Sequence, residues 1–349
     1  QQQQQQQQLE EQRLEAVLVE EEVAQATVAF LPLTTLPRSS QISRTVRDGS
    51  DDREDPEVVI DSSIVALVDG VLRSEYLLAE QLRPRDMARL HAAIMPLQRA
   101  QLVNWISQSF FVLEFDDALL HSVVLSLDRY CACPRAHIEA STMQTLILAV
   151  VCTEMKVDGA RSFPVGRWRA ILSHLSAGRL ELESILRKEY EVLSALDFRV
   201  GSPTALTFLR ELALLLKDAE VAGRVVGLAS FLLELTLFDP AMQYCRSQLL
   251  LAAGALAAGL RLAAVEQPAH FQWCSEMREV VFDELRIFAP ELVNPQEEAL
   301  CAEEELLDLW LTCLDVRAAA EAEARESSAK ATTTMTTAGT TTTTTTTAT

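Results

Sequence analysis

One feature constrains the fold more than any other. From about residue 62 to about residue 315 the apolar residues recur at helical spacing, and few stretches alternate with a period of two. Leu97, Leu102, Trp105, Ile106, Phe110 and Leu113 mark a first helix, and Leu119, Leu120, Val123, Val124 and Leu127 form the stripe of a second. Asp116 or Asp117 stands where an N-cap belongs, and Pro134 breaks the pattern. Ser141 and Thr142 are expected to cap a third helix reaching about 155. A fourth runs through "VGRWRAILSHL" and a fifth is "ELESILRKEYEVLSAL", 181–196.

Pro203-Thr204 opens a second helical set, with "TALTFLRELALLL", "EVAGRVVGLASFLLELTLF", the Ala-rich segment 246–264 and "WCSEMREVVFDELRIF". In each set the middle helix is the most apolar and richest in small residues, which suits a helix with neighbours on all sides. The pattern predicts an all-α protein of two five-helix units joined near 200. Residues 1–61 read as a low-complexity tail and acidic linker, beginning with eight glutamines, and 316–349 as a disordered, Thr-rich tail. Between them lie 62–200, with an amino-terminal helix around 63–80, and 201–315.

Two charges sit on or beside the apolar faces, Arg99 near the start of the first helix and Asp128 near the end of the second. A core charge is costly unless paired. The sequence leaves two readings open, a buried pair or two side chains that snorkel outward.

Composition narrows the partners. The net charge is −20 and no basic patch interrupts it, which argues against nucleic acid and an anionic membrane surface. "TLILAVVC" (145–152) and "LLLAAGALAAGL" (249–260) are short of the roughly 18 to 20 apolar residues of a membrane span and read as buried helices. Seven scattered cysteines have neither disulfide nor zinc spacing, and the five histidines have neither metal nor nucleophile spacing, so no metal or cofactor is expected. There is no Walker loop, Gly-rich strand pattern or kinase signature, so no enzyme is expected.

The ordered segments resemble the cyclin family. "LQRAQLVNWI" (97–106) is similar to the opening of the cyclin box, M-R-A-x-L-V-D-W-L, and "LSLDRY" (125–130) to its I-D-R-F stretch. "MQTLILAVVCTEMKVD" (143–158) resembles the L-Q-L-x-x-x-A-x-x-x-A-S-K-x-E-E helix. "RKEYEVLSALDFRVGSPTALTFL" (187–209) resembles the fifth helix and its exit, E-x-x-x-L-x-x-L-x-F-x-x-x-x-P-T-x-x-x-F-L. "SFLLELTLFDPAMQYCRSQLLLAAGAL" looks like the start of a second cyclin box. Mitotic A/B-type cyclins are nearest in pattern.

The resemblance implies tandem cyclin boxes and a regulatory subunit that activates a cyclin-dependent Ser/Thr kinase in cell-cycle control. It implies that Arg99 and Asp128 form a buried ion pair between the first two helices. It also implies that Lys156, one of only four lysines, and Glu189 bind backbone groups around the kinase αC helix. A further patch, which reads Arg-x-Leu motifs, is matched by Leu102, Trp105, Met143 and Gln144. Gln98, Gln101 and Gln108 stand where that patch has methionine, isoleucine and an acidic residue, implying weakened docking. Core packing is an equal reading of Leu102 and Trp105.

Asn104 replaces the usual Asp, and Glu154-Met155 replaces the A-S before the lysine, which puts kinase choice in doubt. The family expectation for localisation is nucleus and cytoplasm, with no basic cluster to encode nuclear import. The rivals are a cyclin-fold adaptor that does not activate a kinase and, disfavoured by the charge, a cyclin-fold transcription factor.

Overall fold

The computed structural model describes residues 73–84, 86–157, 170–173, 175–176, 179–216, 219–290, 292 and 294–338. The tail expected over 1–61, the front of the amino-terminal helix, most of "VGRWRAILSHL" and the last threonines fall outside the described residues. Helical residues 73–82 (α1) are followed by α2 (Met87–Ala93), α3 (Pro96–Val112), α4 (Asp117–Ala132), α5 (Met143–Val157) and α6 (Leu182–Ala195), with residues 170–173 also helical. Then come α7 (Ala205–Leu212), α8 (Ala219–Thr236), α9 (Pro240–Cys245), α10 (Gln248–Glu266), α11 (Phe271–Phe288) and α12 (Pro295–Ala338). No strand occurs among the described residues.

Side-chain caps set several of the helix starts. Asp116 caps α4 by accepting from the Ala118 amide at 2.8 Å. Thr204 and Thr207 form a reciprocal capping box on α7, and Ser247 caps α10 through the Leu250 amide. Ser141 and Thr142 do not cap α5. They sit in a 3-10 turn and bond back to Glu139, because that turn supplies their nearest acceptors. Two short helices, α2 and α9, were not expected, and each is capped by an aspartate, Asp86 and Asp239.

The first core gathers α2 to α6 around α5, whose residues Leu146 to Met155 are all buried. The second gathers α7, α8, α10, α11 and α12 around α10, buried without a break from Gln248 to Leu260. Glycine explains how α10 fits. A Cβ on Gly254 would lie 2.6 Å from the Ala302 Cβ and 2.9 Å from the Glu303 nitrogen on α12. One on Gly259 would lie 2.7 Å from the Val225 carbonyl oxygen on α8. α10 therefore meets both neighbours almost backbone to backbone. At 19 residues and mean hydropathy 1.7 it is long and apolar enough to cross a membrane, contrary to the expectation that the stretch is too short; 78% of that window is buried within the protein.

The division near 200 separates the helices but not the cores. Tyr76 and Ala79 of α1 pack in the second core, whereas Leu237 and Phe238, after α8, pack in the first. α12 runs past the expected end of structure at 315 to Ala338, through the strong helix formers of "RAAAEAEAR".

One polar network ties the two halves. Arg99 and Asp128 are both fully buried. Arg99 Nε donates to Asp128 Oδ1 at 2.8 Å and Nη2 to Oδ2 at 2.6 Å. Nη1 donates to the Leu237 carbonyl at 2.7 Å, Nη2 also donates to Gln243 Oε1 at 3.0 Å, and the Tyr244 hydroxyl donates to Asp128 Oδ2 at 2.6 Å. Burial is the largest single effect and works against the Arg99 charge, but the charge and hydrogen bonding of Asp128, with the charges of Tyr244 and Asp239, together raise the pKa. The second unit has its own buried charge. Glu303 of α12, fully buried, accepts from Arg261 Nη1 of α10 at 3.1 Å and from Arg278 Nε and Nη2 of α11 at 3.0 and 2.6 Å.

Candidate partner-binding face

After ten buried residues, α5 surfaces at Lys156, whose side chain is 49% exposed. A cation in the last turn of a helix also suits the helix dipole. α6 packs beside it, turning Ile185 and Val192 into the first core. Between them Glu189 is buried, and Lys156 Nζ lies 2.7 Å from each of its carboxylate oxygens. Both residues singled out from the sequence are thus brought together, and they hold each other. One turn back on α5, burial and then the Glu189 charge push the Cys152 thiol up to about 12, so it stays protonated.

Around the pair lies an exposed apolar rim that the sequence reading missed: Val157 at the end of α5, Leu186 and Tyr190 on α6, and Phe198 just beyond it. Leu186 and Tyr190, four residues apart, share the outward face of α6, which is the spacing that could have revealed them. Phe198 follows an unusual corner. Asp197 and Phe198 have φ of 52° and 58°, the left-handed region that a bulky residue rarely adopts. The Phe198 amide donates to the Leu193 carbonyl at 2.8 Å, closing the helix end, and its ring meets that of Tyr190 edge-on with centroids 6.5 Å apart. Gly201, φ 70°, lies where a Cβ would come within 2.7 Å of Val157 Cγ1, so the chain leaving the corner runs close against α5.

Glu154 and Met155 do not line this face. Both are buried, and Glu154 accepts from Ser126 Oγ of α4 at 2.5 Å. Leu102, Trp105 and Met143 are partly covered and pack on the first core, so all three serve that core. Gln144 is exposed and its Nε2 donates to the Leu175 carbonyl at 3.2 Å. Gln98, Gln101 and Gln108 are exposed. Among the described residues, no group of three His, Cys, Asp or Glu side chains is placed to hold a metal ion.

Residues 72–201, the span that contains Lys156, Glu189 and the Phe198 corner, match the family model of the cyclin N-terminal domain. The chain carries a cyclin N-terminal domain. Putative cyclin-B3-1 of Arabidopsis thaliana is 29% identical over 166 residues, 47% of this chain and 40% of that protein. G2/mitotic-specific cyclin-2 of Antirrhinum majus is 25% identical over 228 residues, 63% of this chain and 49% of that protein. The chain spans about half or less of the length of these curated relatives. The crystal structure of a viral cyclin from herpesvirus saimiri shares the fold, with TM-score 0.50 and 19% identity over 70% of this chain and 99% of that one. That likeness covers more of the chain than the N-terminal domain does.

Proposed function

We propose that this chain is a cyclin, the regulatory subunit of a cyclin-dependent Ser/Thr kinase, which it binds through the Lys156–Glu189 face and activates. The observation that carries the reading is a bidentate charge pair set within exposed apolar side chains. Lysine offers N–H donors to carbonyl groups and the carboxylate accepts amide protons, so the pair can trade its internal bonds for bonds to a partner's backbone. The apolar rim would supply the burial. Docking would press the kinase αC helix inward until its glutamate reaches the lysine that holds the nucleotide phosphates, and would help to order the activation loop. The cyclin itself would contribute no catalytic group.

On this reading α7 to α12 form a second cyclin box, the work is done in the nucleus and cytoplasm during the cell cycle, and docking of Arg-x-Leu substrates is weak because three glutamines replace the patch's apolar and acidic groups. The test is co-purification of the full chain with a panel of cyclin-dependent kinases, followed by a phosphorylation assay, beside Lys156→Ala and Glu189→Ala. Binding and activation by wild type, lost in variants whose circular dichroism is unchanged, is the expected result. A folded wild type that binds no kinase would leave the adaptor reading in its place.

A further inference from the structure

We propose that Arg129, its buried charge offset by Glu154, is a positioning residue for Phe198. Arg129 stands at the end of α4 and is buried. Its Nη2 donates to the carbonyl of Arg199, the residue after Phe198, at 2.6 Å. That bond takes hold of the corner where two successive residues, Asp197 and Phe198, sit in the left-handed region. Such a conformation persists only where the surroundings over-determine it. Side chains grip the corner twice, Arg129 from inside and Arg135 Nη1 on Asp197 Oδ1 at 2.6 Å from outside, while the amides of Asp197, Phe198 and Arg199 bond back to the carbonyls of Ser194, Leu193 and Leu196. The outer grip joins two exposed side chains and is weak, so the buried one dominates.

The buried cation needs support. Burial lowers the Arg129 pKa, and among the charges around it Glu154 is the foremost working the other way, with Arg199 opposing. Arg129 Nη1 has no hydrogen-bond acceptor, so the guanidinium is held through the Nη2 bond to Arg199 and not by a closed set of bonds. Glu154 is itself fixed by Ser126. α5 thus serves the face twice: Lys156 is presented outward, and two residues earlier Glu154 steadies, from within, the arginine that holds the corner. The consequence for partner binding rests on the kinase reading above, but the positioning claim concerns the corner's own geometry.

Hydrogen–deuterium exchange on the full chain tests it, read at the Phe198 and Arg199 amides against those of Val150 and Val151 in α5. The double variant Arg129→Met/Glu154→Leu removes both charges and strands neither. Exchange at the corner should quicken about tenfold or more while the α5 amides keep their rate, because a local tether is lost and not the global fold. Arg129→Lys, which keeps a donor, should recover most of the protection. If the double variant fails to fold, Glu154→Gln carries the same comparison, since it keeps the volume and drops the charge. Unchanged corner exchange, or a rise only in step with α5, would overturn the proposal. In parallel, the double variant should bind the panel kinase about tenfold or more weakly; undiminished binding with a loosened corner would break the link to Phe198. A wild type that binds no kinase would sink the kinase reading alone, with exchange still deciding the positioning.

Discussion

Arg99 on α3 donates to the carbonyl of Leu237, 138 residues further along the chain, at 2.7 Å. The same guanidinium is paired with Asp128, so one side chain joins two helices of the first unit to the segment leaving α8. Arg99→Ala or Asp128→Ala strands a buried charge and should cost on the order of 3–5 kcal/mol in urea denaturation. Arg99→Met/Asp128→Leu should cost less than either single change, because no charge is left alone. Additive losses would contradict the pairing.

Glu303 presents the opposite asymmetry. It is fully buried, whereas its partners Arg261 and Arg278 have side chains 52% and 24% exposed. Removing the carboxylate by Glu303→Met lets both arginines turn toward water. Arg278→Met instead leaves the carboxylate with Arg261 alone. Chemical denaturation should show the arginine variant to be the less stable of the two.

Two glycines of neighbouring helices should answer substitution with opposite signs. Gly254→Ala forces a methyl to 2.6 Å from Ala302 and should destabilise by roughly 1–3 kcal/mol. Gly223→Ala on α8 meets nothing within 4 Å and should stabilise by up to about 1 kcal/mol through helix propensity. Melting temperatures of the two variants decide this directly.

The pH response should carry the mark of His121. Burial, and then the Arg210 charge, push its pKa from 6.5 down to about 3. The folded state therefore refuses a proton that the unfolded chain accepts. Its contribution is complete above about pH 6.5 and is lost toward pH 3, at roughly 1.4 kcal/mol per pH unit. Asp117 and Glu234, both raised by burial, act in the other sense: they favour the folded state at low pH and lose that contribution as pH rises through their folded values. Comparison with His121→Leu isolates the histidine, and stability curves of equal slope in both proteins would refute its role.

Particular residues show how far the sequence reaches. The stripe Leu119, Leu120, Val123, Val124 and Leu127 gives α4 directly, because helical burial is periodic and local. The charge of Arg99 in that setting leaves pairing and snorkelling both open, and it is the family pattern that points to Asp128. Leu237 and Gln243 could not be named, since contacts across 138 and 144 residues leave no local trace. Lys156 and Glu189 were found through resemblance, but their mutual pairing depends on how α5 and α6 lie together. Glu154 stands two residues before Lys156, where its departure from the family pattern bears on kinase choice. Two residues turn a helix through about 200°, so it points into the protein, and that much was legible in the period. The left-handed backbone at Phe198 was not, because no glycine marks it.

Leu237 and Phe238 complete a core that begins at Leu90, and this bears on how the protein is made. Synthesis delivers α2 to α6 first, yet until residue 243 has left the ribosome the Arg99 guanidinium lacks two acceptors and the hydrophobic interior lacks its last two side chains. The amino-terminal half must wait, open, for the chain to come back to it.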